Sequence, residues 1–118
     1  MTQSARRALP KLTEAQITEQ VIGWLRSKQW ECVRLQSGLM RTKDGRPIRI
    51  GKKNIPDWIC TKRERYFYLE LKRPGETLSA GQLGWFAEAR LKKLNAMWAD
   101  SFGGFLAKFE IATWAVER

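Results

Sequence analysis

One hairpin-like stretch constrains the fold more than any other part of the chain. Two β-rich runs, "DWICTK" (57–62) and "RYFYLELK" (65–72), flank a two-residue turn at 63–64. Such runs on either side of a short turn predict an antiparallel β-hairpin. Side chains alternate along a strand, so the apolar residues of the second run share one face, and Glu70 and Lys72 share the other. Two charges at the end of an apolar strand need a partner, a solvent-facing side or a function.

Asp57 stands at the start of the first run, and a turn at 63–64 pairs it with Glu70 to within a residue or two. Cross-strand neighbours lie about 5 Å apart, and two carboxylates that close repel each other unless a cation lies between them. Oxygen ligands without histidine or thiolate suit Mg²⁺, and a neighbouring lysine can orient or deprotonate a water or stabilise charge on a phosphate. The pattern therefore predicts a metal site for phosphodiester chemistry. The alternative is a surface Glu–Lys pair at a strand end, worth about 0–1 kcal/mol.

The composition narrows the function further. The absence of histidine excludes Cys/His zinc sites, Ser-His-Asp triads and nucleases with a histidine base. A net charge of +10 indicates a polyanionic partner, most often nucleic acid, although a merely soluble basic protein is the alternative. The basic residues concentrate in "RTKDGRPIRIGKK" (41–53), which has the composition of a basic loop or hairpin. A membrane surface would also attract this segment, but no amphipathic helix with a basic face accompanies it.

From the given sequence we expect neither export nor insertion into a membrane. No apolar run approaches the ~20 residues that span a bilayer, and the N-terminus lacks the apolar core of a signal peptide. Cys32 and Cys60 lie in apolar surroundings and are expected to be buried thiols in a reducing compartment, with a disulfide as the alternative. We therefore expect an intracellular, cytoplasmic protein.

Periodicity and capping signals predict one α/β domain with a mixed sheet, after a flexible basic arm at residues 1–12. In the first half of the chain we expect a helix over about 14–29, a strand at 31–36, a short returning strand at 46–51 and the hairpin at 57–72. In the second half we expect a helix over about 80–98, an interruption of regular structure at Gly103-Gly104, a strand at 105–108 and a last helical turn or two in 110–118. The second long helix is expected to bury one apolar face, made by Leu83, Phe86, Leu91, Leu94 and Met97.

Pro56-Asp57…Glu70-Leu71-Lys72 resembles the signature of PD-(D/E)xK nucleases, and its context resembles the VRR-NUC domain family within that superfamily. The matching stretches, spread over roughly residues 13–108, are Thr13-Glu14, Arg34, Ser37-Gly38, "GRPIRIG" (45–51), "NIPD" (54–57), "ELKRPGETLSAGQ" (70–82) and Gly103-Gly104. The run at 70–82 is specific to the family pattern, whereas PD…ExK alone is too short to identify a family. Asn54 stands where the family has glycine, and asparagine tolerates left-handed backbone. The family's serine after the last strand is not evident, and the chain beyond Gly103-Gly104 is short.

The resemblance implies a fold and a set of metal ligands. The fold would be the restriction-endonuclease-like core, αβββαβ, a mixed sheet flanked by helices over residues 13–118. Asp57, Glu70 and the backbone carbonyl of Leu71 would hold Mg²⁺, with Mn²⁺ as a substitute. Lys72 would activate the attacking water or hold the phosphate.

The resemblance also implies roles for Gln82 and Glu14. Gln82 would support Lys72 or the water, and Glu14 would complete the acidic shell directly or through a water. Helical projection groups Glu14, but not Glu19, with the buried stripe of the first helix. Each residue also has a structural alternative. Glu14 suits the positive end of a helix, and Gln82 suits a capping box with Ser79.

We therefore expect a magnesium-dependent DNA endonuclease. A domain this small has little room for sequence-reading elements, so cutting selective for branched or flapped DNA is expected over sequence-specific cutting, by analogy with Holliday-junction resolvases. A homodimer would suit branched DNA, and no small-molecule substrate is expected. The residues expected to hold the nucleic-acid backbone are Arg34, Ser37, Arg41, Lys43, Arg46, Arg49, Lys52, Lys53 and Arg73.

Three other functions remain open from the sequence. The main rival is a non-cutting nucleic-acid-binding module of a phage replication or recombination complex in an infected bacterial cell. RNA as the substrate is a weaker possibility. A structural or anti-host protein that binds another protein would explain the many aromatic residues, but not the charged residues of 55–82.

Overall fold

The computed structural model describes residues 11–35, 38–41, 43–50 and 53–112. Most of the expected arm at 1–12 and the C-terminal residues 113–118 therefore lie outside the described part. The elements in chain order are α1 (Glu14–Ser27), β1 (Glu31–Arg34), β2 (Gly38–Arg41), β3 (Pro47–Ile50), β4 (Trp58–Lys62), β5 (Arg65–Leu71), α2 (Ala80–Leu91), β6 (Ala96–Ala99) and α3 (Phe102–Ile111). The expectation of a small α/β domain with a mixed sheet is confirmed at this level.

The main sheet has four strands among the described residues, in the order β1-β4-β5-β6. The first three are antiparallel to their neighbours, and β6 runs parallel to β5. Trp58 lies opposite Leu69, which is the register predicted for a turn at 63–64. The short returning strand is also confirmed, because β3 pairs with β2 in a separate two-stranded antiparallel sheet.

Helices cover both faces of the main sheet. Helix α1 begins at a capping box made by Thr13 and Gln16, and its buried face consists of Ile17, Val21, Ile22 and Leu25. On this side of the sheet the ring of Phe67 on β5 contacts Trp30 and Phe109, the latter from α3. On the other side Tyr68 contacts Trp85 of α2. The alternation predicted for β5 is therefore seen as two packed faces.

The two cysteines lie directly opposite each other on β1 and β4. Both are buried and neither forms a disulfide, as the sequence predicts. A hydrogen bond between the two thiols, together with burial, raises the pKa of Cys60 far above its ordinary value. The pair is therefore part of the packed core of the sheet.

The prediction of a helix over 80–98 is wrong at its C-terminal end. Helix α2 ends at Leu91, and residues 96–99 form β6 instead. Lys93 takes a left-handed conformation at φ 59°, and the N–H of Leu94 donates to the carbonyl of Ala89 at 2.8 Å. This ending uses a lysine where a glycine is usual, so the sequence carries no visible stop signal.

The predicted apolar face of α2 is also wrong in part. Leu91 is 85% exposed and Leu83 is exposed, whereas Ala89 is the buried residue of the helix. Met97 is buried as expected, but as a strand residue.

The prediction that regular structure is interrupted at Gly103-Gly104 and followed by a strand at 105–108 is wrong. Both glycines and the stretch after them belong to α3. The hydroxyl of Ser101 accepts the N–H of Gly104 at 2.9 Å and so caps the helix. A strong N-cap thus outweighs the low helix propensity of two glycines in the first turn.

Within the described residues, no helix combines the length and the apolar composition needed to cross a bilayer.

Candidate metal centre

The start of β4 and the end of β5 bring Asp57 and Glu70 together. The backbone N–H of Asp57 donates to Oε1 of Glu70 at 3.0 Å, so the two residues are neighbours across the hairpin as predicted. Glu70 is 3% exposed, and Asp57 is half-buried. A carboxylate this deeply buried is rare unless it is paired or binds a metal.

A third carboxylate reaches the same place from another element. Glu14 is the first residue of α1, directly after the N-cap Thr13. One oxygen each from Glu14, Asp57 and Glu70 lies within 4.8 Å of the others. Glu14 itself is exposed, although its projection groups it with the buried stripe of α1, and Glu19 is not part of the cluster. We call these three residues the acidic cluster.

The electrostatics of the acidic cluster are unfavourable to Glu70. Burial, followed by the charge of Asp57, raises the pKa of Glu70 from its ordinary value of 4.5 to about 7, and Glu14 adds to the effect. The hydrogen bond from the N–H of Asp57 and the ammonium of Lys72 act in the opposite direction and lower this pKa, without cancelling the rise. A divalent cation among the three carboxylates would remove the repulsion, and the all-oxygen donor set suits Mg²⁺ or Mn²⁺.

The strand register also leaves a backbone oxygen at this point. The N–H groups of Tyr68 and Lys72 donate to the carbonyls of Asn95 and Ala99 on the β6 side, so odd-numbered residues of β5 direct their backbone groups towards β4. Two residues beyond the Trp58–Leu69 pair, the same register sets Pro56 opposite Leu71. Proline has no N–H, so the ladder offers the carbonyl of Leu71 no donor at that position. A carbonyl that receives no donor from Pro56 is chemically suited to the ligand role that the resemblance implies for it.

Lys72 follows β5 directly and lies beside the acidic cluster. Its backbone N–H donates to the carbonyl of Ala99 at 2.9 Å, which fixes it against β6. Its Nζ lies 3.7 Å from Oε2 of Glu70 and 3.7 Å from Oε1 of Glu76. The side chain is only 13% exposed. Lys72 therefore stands where the sequence predicts it, as an almost buried cation between two carboxylates.

A tight turn after Lys72 brings in two acidic residues that the sequence motifs do not single out. The N–H of Glu76 donates to the carbonyl of Arg73 at 3.0 Å, and Gly75 has φ 83°, as a type II turn with Pro74-Gly75 at its centre requires. Asp100, just after β6, accepts the N–H of Gly75 at 3.0 Å. The Pro-Gly dipeptide predicts the turn, and the turn places Glu76 beside Arg73. The position of Asp100 depends on β6, a strand in place of the predicted helix end, so no signal in the sequence locates it.

Gln82 forms the capping box that was its structural alternative. Its side-chain carbonyl accepts the N–H of Ser79 at 3.0 Å, and Ser79 caps the Gln82 N–H in return. No contact between Gln82 and Lys72 is among those the structure gives for the described residues, so a role in supporting Lys72 stays a prediction.

The predicted nucleic-acid-binding residues fall into three groups. Ser37 and Lys52 lie outside the described residues, and Arg41 and Arg49 lie in β2 and β3. Lys43, Arg46 and Lys53 are exposed around that hairpin, with Arg46 paired to Asp44. Arg34 and Arg73 lie near the acidic cluster: Arg34 is 3.7 Å from Asp57 and stacks over Trp58, and Arg73 pairs with Glu76 at 2.9 Å.

A groove of about 450 Å³ adjoins the acidic cluster. Its lining includes Glu14, Ile22, Gly23, Arg26, Arg34 and Trp58. A larger groove of about 1020 Å³ runs between α2, β6 and α3, and none of the predicted site residues lines it. Among the predicted site residues, Glu14 and Arg34 line the smaller groove.

Comparisons of the chain with protein-family models, with curated proteins and with solved structures gave no match. The geometry of the acidic cluster and the motifs of the sequence are therefore the features that bear on function.

Proposed function

We propose that this protein is a divalent-metal-dependent DNA endonuclease with a restriction-endonuclease-like core of the VRR-NUC type. One observation carries the proposal. Three carboxylates from α1, β4 and β5 converge within 4.8 Å, and a nearly buried lysine lies 3.7 Å from one of them. Burial, followed by the charge of Asp57, raises the pKa of Glu70, and binding a cation would remove the repulsion between the carboxylates. A structural Glu–Lys pair at a strand end does not explain the other two acids.

The acidic cluster and the Leu71 carbonyl would hold Mg²⁺ or Mn²⁺, which supplies Lewis-acid stabilisation of the charge that develops on the phosphate. Asp57 and Glu70 provide oxygens fixed by the hairpin, and Glu14 provides one from the positive end of α1. Lys72 is within reach to orient an attacking water or to stabilise the phosphate, because its ammonium is held beside Glu70.

DNA is the substrate that fits the charge of the molecule. The net charge of +10 and the exposed cations around the β2–β3 hairpin favour contacts with phosphates, which carry no sequence information. We therefore propose selectivity for DNA shape, such as flaps or branches, and a homodimer as the form that acts on branched DNA.

A cleavage assay tests the proposal. The purified protein is incubated with flapped, four-way-branched, single-stranded and linear duplex DNA, and with an RNA strand, in Mg²⁺, Mn²⁺ or EDTA. We expect cutting that requires the metal and that Asp57→Ala and Lys72→Ala abolish while DNA binding persists. Glu88→Gln and Lys92→Ala, which change an ion pair on α2, are matched controls and should cut normally.

Two outcomes would contradict the proposal. Cutting that survives Asp57→Ala would remove the acidic cluster from the mechanism. Binding without cutting by the wild type in every metal would favour the non-cutting nucleic-acid-binding module.

A further inference from the structure

We infer that Lys72 and Arg73 form a binding site for a phosphodiester group, which the carboxylate of Glu76 occupies in the free protein. The inference rests on the proposed nucleic-acid substrate and extends the role given there to Lys72, because it adds Arg73 as a second phosphate ligand and Glu76 as the anion that the phosphate replaces. We call this pair of cations the Lys72–Arg73 site.

The geometry of Glu76 is that of an anion shared by two cations. Its Oε2 lies 2.9 Å from Nε of Arg73, and its Oε1 lies 3.7 Å from Nζ of Lys72. A phosphodiester also presents two oxygens that share one negative charge. Exchange of the carboxylate for a phosphodiester would therefore keep both the charge balance and the bridging arrangement.

The pairing of Glu76 with Arg73 contributes little to stability, whereas its pairing with Lys72 also balances a nearly buried ammonium. Arg73 is 71% exposed, and an ion pair so open to water contributes little to the free energy of unfolding. At 3.7 Å, Lys72 is ion-paired with Glu70 and Glu76 but is not hydrogen-bonded to either carboxylate. An anionic oxygen closer than 3.7 Å to this ammonium would add a hydrogen bond that neither carboxylate supplies.

The backbone around the Lys72–Arg73 site is fixed, while the Glu76 side chain can leave. Asp100 holds the N–H of Gly75, and the Arg73 carbonyl holds the N–H of Glu76. The side chain of Glu76 is 36% exposed, so rotation into solvent requires no movement of the turn. A further cation stands nearby, because Nζ of Lys11 lies 3.8 Å from the position that a Cβ on Gly75 would take.

The site adjoins the acidic cluster through Lys72, whose ammonium contacts both Glu70 and Glu76. A phosphate at the Lys72–Arg73 site would thus lie next to the proposed metal. Glu76 would act as a competitor for this site. A weakly bound anion would not displace it, whereas the phosphate of a correctly placed DNA backbone would.

The test measures binding without cutting. Fluorescence anisotropy in EDTA gives the affinity of a fluorescein-labelled flapped DNA for the wild type, Glu76→Gln and the matched control Glu88→Gln. Both variants raise the net charge by one, so a general charge effect would be equal in the two. We expect Glu76→Gln to bind roughly three- to tenfold more tightly than Glu88→Gln. The gain should disappear when Arg73→Gln is added to Glu76→Gln.

Three results would overturn the inference. Equal affinities of the Glu76→Gln and Glu88→Gln variants would show that no competition takes place. Weaker binding by Glu76→Gln would mean that Glu76 only positions Lys72. No binding by any variant would remove the site altogether. Cleavage by the wild type in Mg²⁺ or Mn²⁺ tests the proposed function separately, so either idea can fail while the other stands.

Discussion

At the scale of single residues, Glu70 is the group whose environment is hardest to explain by folding alone. Its carboxylate is 3% exposed and has two other carboxylates close by. Removing such a group from water costs free energy that one lysine at 3.7 Å does not fully return, as the raised pKa shows. Residues that cost stability in this way are frequent at functional sites.

This cost predicts a pH-dependent effect of Glu70→Gln in EDTA. The pKa of Glu70 is about 7 in the folded protein against an ordinary 4.5, so the folded state binds the proton more tightly than the unfolded state. The stability of the wild type therefore falls as the pH rises from about 4.5 through 7. A neutral amide removes this loss, so we expect Glu70→Gln to be more stable than the wild type at pH 8, by on the order of 3 kcal/mol at most, and about equal at pH 4.5.

Chemical denaturation across this pH range measures the effect. Glu88→Gln, which changes an exposed ion pair on α2, is the control. The difference in stability between this variant and the wild type should not change with pH in this way. The amide oxygen that Glu70→Gln introduces can still accept the N–H of Asp57, so lost hydrogen bonding does not complicate the comparison. Lower stability of Glu70→Gln at pH 8 would contradict the electrostatic account.

The same residue predicts how a divalent cation stabilises the protein. A metal competes with the proton on Glu70, so binding should be stronger at pH 8 than at pH 5.5. We expect millimolar Mn²⁺ to raise the melting temperature of the wild type at pH 8, to raise it less at pH 5.5, and to leave Glu70→Gln nearly unchanged. Differential scanning fluorimetry with KCl at matched ionic strength provides the measurement. An equal rise in the wild type and in Glu70→Gln would place the metal elsewhere.

The residues of the site differ in how far the sequence predicts them. Asp57, Glu70 and Lys72 belong to one hairpin, so alternation and turn position suffice to bring them together. Glu14 reaches them through the packing of α1, which only projection and resemblance suggest. Asp100 depends on β6, a strand that pairs with β5 after the crossover through α2 and whose residues also suit a helix.

At the scale of elements, α2 meets the turn before β4 at Gly81 and Asn54. Asn54 has φ 68°, so the expectation that asparagine accommodates left-handed backbone at this position is confirmed. A Cβ on Gly81 would lie 2.5–2.7 Å from the side-chain amide of Asn54. The glycine in "SAGQ" therefore allows the start of α2 to approach the turn that leads to Pro56-Asp57.

This close approach predicts a double-mutant cycle. Gly81→Ala should destabilise the protein by about 1–3 kcal/mol, because the new methyl group overlaps the Asn54 amide. In an Asn54→Gly background the same change should be neutral or stabilising by about 0.5–1 kcal/mol, since alanine favours a helix and the overlap is gone. Urea denaturation of the four proteins gives the coupling energy. Gly84→Ala, which meets nothing within 4 Å, is the control for helix propensity. Additive effects of the two changes would contradict the packing argument.

The end of α2 shows why element boundaries are harder to predict than element types. Residues 92–95 contain neither glycine nor proline, and the chain turns there through a left-handed lysine. Beyond it, β6 gains its stability from parallel pairing with β5 and from burial of Met97, neither of which local sequence reports. In contrast, α1 begins and ends close to its predicted limits because its capping box and apolar stripe are local.

At the scale of the whole molecule, the charged groups form two separate regions, one acidic and one basic. The acidic cluster lies at the edge where β4 begins and β5 ends, and exposed cations surround the separate β2–β3 hairpin. The sequence predicts both regions, because the basic segment is contiguous and the acids follow a hairpin. A basic surface that attracts phosphates and an acidic cluster that repels them are compatible when a cation neutralises the cluster.

This separation predicts how DNA binding responds to salt. Each phosphate contact contributes about −0.9 to the slope of log affinity against log salt for duplex DNA. Replacing Lys43, Arg46 and Lys53 together by glutamine should make the slope less steep by about 2 to 3, with the same loss for every DNA sequence. The matched control replaces Arg90, Lys92 and Lys93 near the end of α2, which alters the net charge equally but should leave the slope nearly unchanged. Anisotropy titrations in EDTA between about 50 and 200 mM KCl give both slopes. The two triple variants have equal net charge, so only a local contact with phosphates can give them different slopes. Equal slopes would mean that the net charge, and not the β2–β3 hairpin, attracts the DNA.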